Sequence, residues 1–155
     1  MKALKLKRIQ EGAEIVEFAI ILPLLLLVMF GIMEFGLVFY DKALITNASR
    51  EAARSGIAYK CPVLTAQQIM DVATSYTKDV NGNSFLVSFA TGTTVPIVTV
   101  TPSSTATTCN VTGTKLSVTV TYNYQFLVFG NLISLFVSGF TNPLSISATT
   151  VMYYE

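Results

Sequence analysis

Few side chains in this chain can make or break bonds. There is no histidine among its 155 residues, so the usual general base for a serine or threonine nucleophile is missing. From Lys60 onward the acids are Asp71, Asp79 and Glu155. A Ser-Lys arrangement using Lys78 or Lys115 stays open, but neither lysine lies on a recognisable motif. Two cysteines, Cys61 and Cys109, have the wrong spacing for a metal site and no imidazole to join them. No catalytic residue, cofactor-binding residue or metal ligand is therefore expected, and a structural subunit is favoured over an enzyme.

The remaining chemistry is that of carboxylates in apolar surroundings. From Phe18 to Met33 sixteen consecutive residues carry no charge, and apolar character continues to Tyr40. As a helix, Ile15 to Tyr40 would be roughly 39 Å long, more than the ~30 Å hydrocarbon core of a bilayer. Two acids interrupt it, Glu17 and Glu34. A carboxylate at the centre of such a helix costs roughly 2.5–3.5 kcal/mol, and less near the interface. Glu17 at headgroup level would need no function. Glu34, about 25 Å further along, either marks the opposite edge of the layer or is embedded and paired with another protein. Pro23 removes a backbone donor within the run and predicts a kink, which membrane helices tolerate. Gly31 and Gly36 allow close packing but do not form a GxxxG seam.

The elements that carry these acids follow from charge and periodicity. Net charge is +1 with 12% charged residues, which argues against a nucleic-acid-binding face. Lys2, Lys5, Lys7 and Arg8 precede the apolar run against one acid, while Asp41 and Lys42 after it cancel. This asymmetry places the N-terminus in the cytoplasm and the rest across the membrane. An ordinary removed secretory signal would begin in the same way, but its apolar region is only 7–15 residues long.

The arrangement of basic residues, Gly12, four residues, then Glu17-Phe18 and an apolar helix resembles the type IV pilin class of signal. The run EFAIILPLLLLVMFGIMEFG, followed by ALITNASREAARSG, is similar to the TadE family of the tight-adherence system, whose members are pseudopilins or minor pilins of type IVc pili. Glu-Phe stands where the system's pilins often carry Glu-Tyr. The resemblance is dense over residues 11–56 and only architectural beyond. It implies a leader, residues 1–12, cut after Gly12 by a prepilin peptidase to leave Ala13 as the new N-terminus. It also implies that Glu17 pairs with the Ala13 amine during assembly, and that Pro23 helps the helix bend into a bundle. The expected function is pilus assembly, surface adhesion and biofilm formation. The expected partners are the membrane, other pilin or pseudopilin subunits and the assembly machinery, with no nucleic acid. The expected location is the bacterial cytoplasmic membrane, with incorporation in the extracellular pilus left open. The alternative is a bitopic envelope protein whose helix is only an anchor for a binding head.

From Asp41 to Tyr59 alanines and Leu44, Ile45 and Ile57 predict that the helix leaves the membrane, giving one transmembrane and stalk helix over residues 13–59. Leu44, Ala48 and Ala52 form a narrow face for close packing, Arg50 and Arg54 share a solvated edge, and Gly56 reads as a stop signal. Residues 60–155 read as an extracytoplasmic α+β head. Thr65 and Gln68 predict a capping box, with Leu64 and Ile69 as staple; Ile69, Val72, Ala73, Tyr76 and Val80 give the helix an apolar face. Four strands of one antiparallel sheet are expected at residues 85–89, 95–101, 115–126 and 144–154. Residues 101–113 read as an exposed loop, and residues 126–140 as a loop plus short helix over the sheet or a patch for a partner. With the head in an oxidising envelope, a Cys61–Cys109 disulfide is expected; two free thiols are the other reading.

Overall fold

The computed structural model describes residues 2–58, 62–89, 95–102, 113–130 and 142–154, with side chains from Ala13 onward. Helix α1 is Lys2–Ile57, helix α2 is Ala66–Tyr76, and the strands are β1, Ile97–Thr101, β2, Lys115–Tyr124, and β3, Leu144–Tyr153. The architecture is the expected α+β one: a long apolar N-terminal helix, one further helix and an antiparallel sheet.

Helix α1 has two halves with different surroundings. From Ala13 to Met29 nearly every side chain is exposed, on all faces, although most are apolar. From Gly31 onward one stripe is buried: Gly31, Glu34, Val38, Asp41, Ile45, Ala48, Ala52 and Gly56, three or four apart. That spacing is one face of an α-helix, and the head packs on it. The first half meets the length and composition of a membrane span. The head is built along the second half of the same helix, and the described residues of the head leave the first half bare. The helix runs through Pro23 without a break.

The sheet has the order β1-β2-β3, with both pairs antiparallel. Leu116, Val118, Val120, Tyr122 and Tyr124 alternate along β2 and are all buried, as period-two patterning requires for one face on a core. They pack in one cluster with Ile45, Ala52 and Ala53 of α1 and Ile69 and Ala73 of α2. The register sets Val120 opposite Ala148 and Tyr122 opposite Ile146, so β3 adds to the same face. The outer face carries Thr99, Thr119 and Thr149 in a row, and the hydroxyls of Thr119 and Thr149 hydrogen-bond at 2.9 Å. Lys42 Nζ donates to the carbonyl of Ser147, and the hydroxyls of Ser49 and Thr150 lie 2.8 Å apart, fastening α1 to β3.

Helix α2 begins as expected. Thr65 caps it, and Gln68 completes the capping box from its side chain to the Thr65 backbone N–H at 2.9 Å. Its far end differs from expectation. The helix stops at Tyr76, and Val80 is fully exposed rather than on the packed face. The cause is local: the Asp79 carboxylate accepts the backbone N–H groups of Asn81 and Asn83 and the Asn83 side chain, which turns the chain. Those bonds, chiefly from Asn83, hold the Asp79 carboxyl below its ordinary range.

The sheet has three strands among the described residues, not four. Residues 85–89, FLVSF, are rich in β-prone residues but form no strand there. Their donors are satisfied in other ways: Phe85 N by the Thr77 carbonyl, Leu86 N by Ser84 Oγ, Val87 N by an Asp41 carboxylate oxygen and Phe89 N by the Gln125 carbonyl. Gly56, the expected stop signal, stands one residue before the end of α1 and also makes a close contact. A Cβ there would lie 2.6 Å from Leu116 Cδ2 and 2.8 Å from Ile69 Cδ1, so Gly56 is where α1, α2 and β2 come closest. Cys61 and Cys109, and with them the expected disulfide, lie outside the described residues, as do most of the 101–113 loop and residues 131–140.

Candidate functional site

Two acids seven residues apart organise the junction between anchor and head. Glu34 and Asp41 stand two turns apart on the buried stripe of α1, about 10 Å along the axis. Glu34 is 3% exposed and Asp41 is fully buried. An ionised carboxylate so placed must collect hydrogen bonds or it destabilises the fold. Both collect them from backbone N–H groups of the head.

Glu34 Oε1 accepts from Val128 N at 2.7 Å, and Oε2 accepts from Phe129 N at 3.1 Å. Consecutive amides therefore grip one carboxylate, a charge-assisted pair stronger than neutral bonds. Rings close around the contact: Phe35 meets Phe126 and Phe129 edge-on, with centroids 6.3 and 5.8 Å apart. Tyr124 meets Phe126 in the same way at 5.1 Å. A Cβ on Gly31 would lie 2.6 Å from Phe129 Cε2, so the absence of a side chain at Gly31 admits that ring.

Asp41 Oδ1 accepts from Val87 N at 2.9 Å. Its Oδ2 and the Tyr124 hydroxyl are both buried without a hydrogen-bond partner among the described residues. Burial, reinforced by the negative charges of Glu34 and Asp41 and by Tyr122, pushes the Tyr124 hydroxyl up to about 12. Tyr124 thus stays a neutral phenol across the physiological range. Among the described residues this arrangement pairs carboxylate oxygens with backbone N–H groups. It fixes two loops, residues 84–89 and 126–129, to one helix.

The residues singled out from the sequence fall into two groups. Glu34 is brought against the head of its own chain. Ala13, Glu17 and Pro23 lie exposed on the bare half of α1, away from the head. Gly12 lies within α1, which passes through the expected leader boundary. Asp41 carries no functional mark of its own in the sequence, because beside Lys42 it reads as half of a cancelling pair after the span. The signal that marks it is its distance of seven residues from Glu34, which puts both acids on one helix face.

Residues 12–54 match a family model described as TadE-like protein, the family that the sequence resembles over this region. The match ends before the head begins, so it rests on the helix. No curated protein and no solved structure matches the chain. The match and the bare apolar helix fit a membrane protein associated with a Tad pilus.

Proposed function

We propose that this chain is a pilin-like minor subunit of a type IVc, tight-adherence pilus or of its secretion apparatus, acting structurally in pilus assembly, adhesion and biofilm formation. The observation that carries the reading is the bare half of α1. It is TadE-like in sequence, apolar on every face, and holds Glu17 with no cover from the described residues of the chain's own head. A prepilin peptidase would cut after Gly12 on the cytoplasmic side and expose the Ala13 amine. Ala13 and Glu17 are four residues apart, one helical turn, so the new amine and the carboxylate share a face.

Before assembly, Glu17 sits at the inner edge of the bilayer, where its charge is tolerated. In a bundle of subunits it accepts the Ala13 amine of a neighbour, a pairing that sets register more than it adds stability. The basic residues before Gly12 keep the leader in the cytoplasm and direct the head to the outer side of the cytoplasmic membrane. The test is Glu17→Ala in cells that assemble the pilus. The variant should insert normally yet fail to co-purify with pilus components. Equal recovery of variant and wild type would remove Glu17 from assembly.

A further inference from the structure

Glu34 and the tip that covers it also bear on how deeply the head sits. The uncharged stretch from Phe18 to Met33 spans roughly 23 Å of helix, less than the ~30 Å hydrocarbon layer it must fill. About five more residues must enter the layer from one end or the other. Below Phe18 lie Glu17 and Glu14, both exposed. Above Met33 lies Glu34, sealed by two backbone N–H groups and nearly inaccessible. A sealed carboxylate enters the layer at less cost than two bare ones, so the layer extends upward, to about Leu37.

That depth carries the tip with it. Phe129 lies on Gly31, a turn below Glu34, and residues 124–130, YQFLVFG, hold no charged side chain. Around this level the exposed side chains among the described residues include apolar ones: Leu127 is 54% exposed, Phe39 70% and Phe35 44%. Phe89, also exposed, is fastened beside the tip through its N–H to the Gln125 carbonyl. Tyr40, half exposed on the next turn, has the character of residues that gather at the membrane surface. These side chains continue without a charged gap from the bare face of the anchor.

We infer that the tip around Leu127 is immersed in the outer acyl–headgroup boundary, so that the head lies directly on the lipid surface. The inference rests on the membrane-anchored reading and adds to it a second lipid contact, made by the head. Lipid is the occupant because the exposed tip runs on from the anchor surface and holds no charge for a polar partner to recognise.

The chain contains no tryptophan, so one introduced indole reports its own surroundings. Full-length Leu127→Trp, Leu25→Trp in the bare helix and Thr149→Trp on the outer sheet face would be placed in phosphatidylcholine vesicles. Each would be exposed to acyl-brominated lipid and to aqueous iodide. Leu127→Trp should lose most of its emission to brominated lipid, as Leu25→Trp does, and emit to the blue of Thr149→Trp with little iodide quenching. Phe89→Trp provides a second reporter should Leu127→Trp not fold. Quenching of Leu25→Trp alone, with iodide reaching both tip reporters, would overturn the inference while leaving the anchor intact. Tip reporters shielded from both quenchers would mean cover by a second copy of the chain, and would also overturn it. If Leu25→Trp too escapes the brominated lipid, the anchor reading itself fails and the inference falls with it.

Discussion

Val128 donates its backbone N–H to the Glu34 carboxylate across ninety-four residues of sequence at 2.7 Å, and Phe129 donates to the other oxygen. A charged residue in the anchor helix is thereby part of the head's internal structure. Glu34→Gln keeps the shape but turns an NH2 group toward one of the two amides. It should cost about 1–3 kcal/mol, the usual penalty for one buried group left without its partner. Hydrogen exchange would show it as faster exchange at Val128 and Phe129 with the rest of the sheet unchanged. Unaltered protection at both amides would mean that the two bonds contribute nothing.

Asp41 does for residues 84–89 what Glu34 does for residues 126–129. Asp41→Ala should free the Val87 amide to exchange and loosen Leu86, which is buried. Asp41→Asn retains an acceptor oxygen and should restore much of the protection. Asp41→Leu is close in size but offers no acceptor, so it should leave Val87 as unprotected as Asp41→Ala does; protection retained in Asp41→Leu would mean that Asp41 acts through volume alone.

The extent to which this was legible in sequence depended on the range of the interaction. The capping box at Thr65 and Gln68 and the alternation of Leu116 to Tyr124 are local patterns, and both are present in the structure. The strand expected at residues 85–89 also has a local pattern. There, however, a carboxylate forty-six residues earlier takes the Val87 donor that a strand neighbour would have taken. Val80 continues the apolar spacing of α2, yet Asp79 ends the helix by binding forward amides. Glu34 was legible as an anomaly but not as a contact, because its partners are backbone groups that any residue type supplies. Asp41 was hidden by its neighbour Lys42, whose amine reaches a different strand.

Gly56 reports on the closest approach in the head. Gly56→Val would push side-chain carbons into Leu116 and Ile69 and should destabilise the head by about 1–3 kcal/mol, the usual range for overpacking. Gly36→Ala, where a Cβ meets nothing within 4 Å of a helical position, is the control and should not lower thermal stability. Equal effects of the two substitutions would contradict the three-way contact at Gly56.

Tyr124 gives a pH dependence of known sign. Its hydroxyl ionises at about 12 in the folded chain against 10.0 ordinarily. The unfolded chain therefore sheds this proton first, and the stability linked to it is complete below the ordinary value and lost as pH rises through about 12. Tyr124→Phe should flatten the decline of head stability with rising pH in that window, measured by denaturant unfolding. An unchanged slope would mean that Tyr124 does not retain its proton on folding.

The most direct measurement is the mass of the mature N-terminus, on protein recovered from cells that contain the prepilin peptidase. If the proposed pilin-like role holds, the mature protein should begin at Ala13, with residues 1–12 removed and the apolar helix kept. A Gly12 substitution bulky enough to block the peptidase should leave the leader attached. Mature wild-type protein that still begins at Met1 would contradict the assignment, and a terminus beyond Tyr40 would mean that the whole apolar helix had been removed as an ordinary signal.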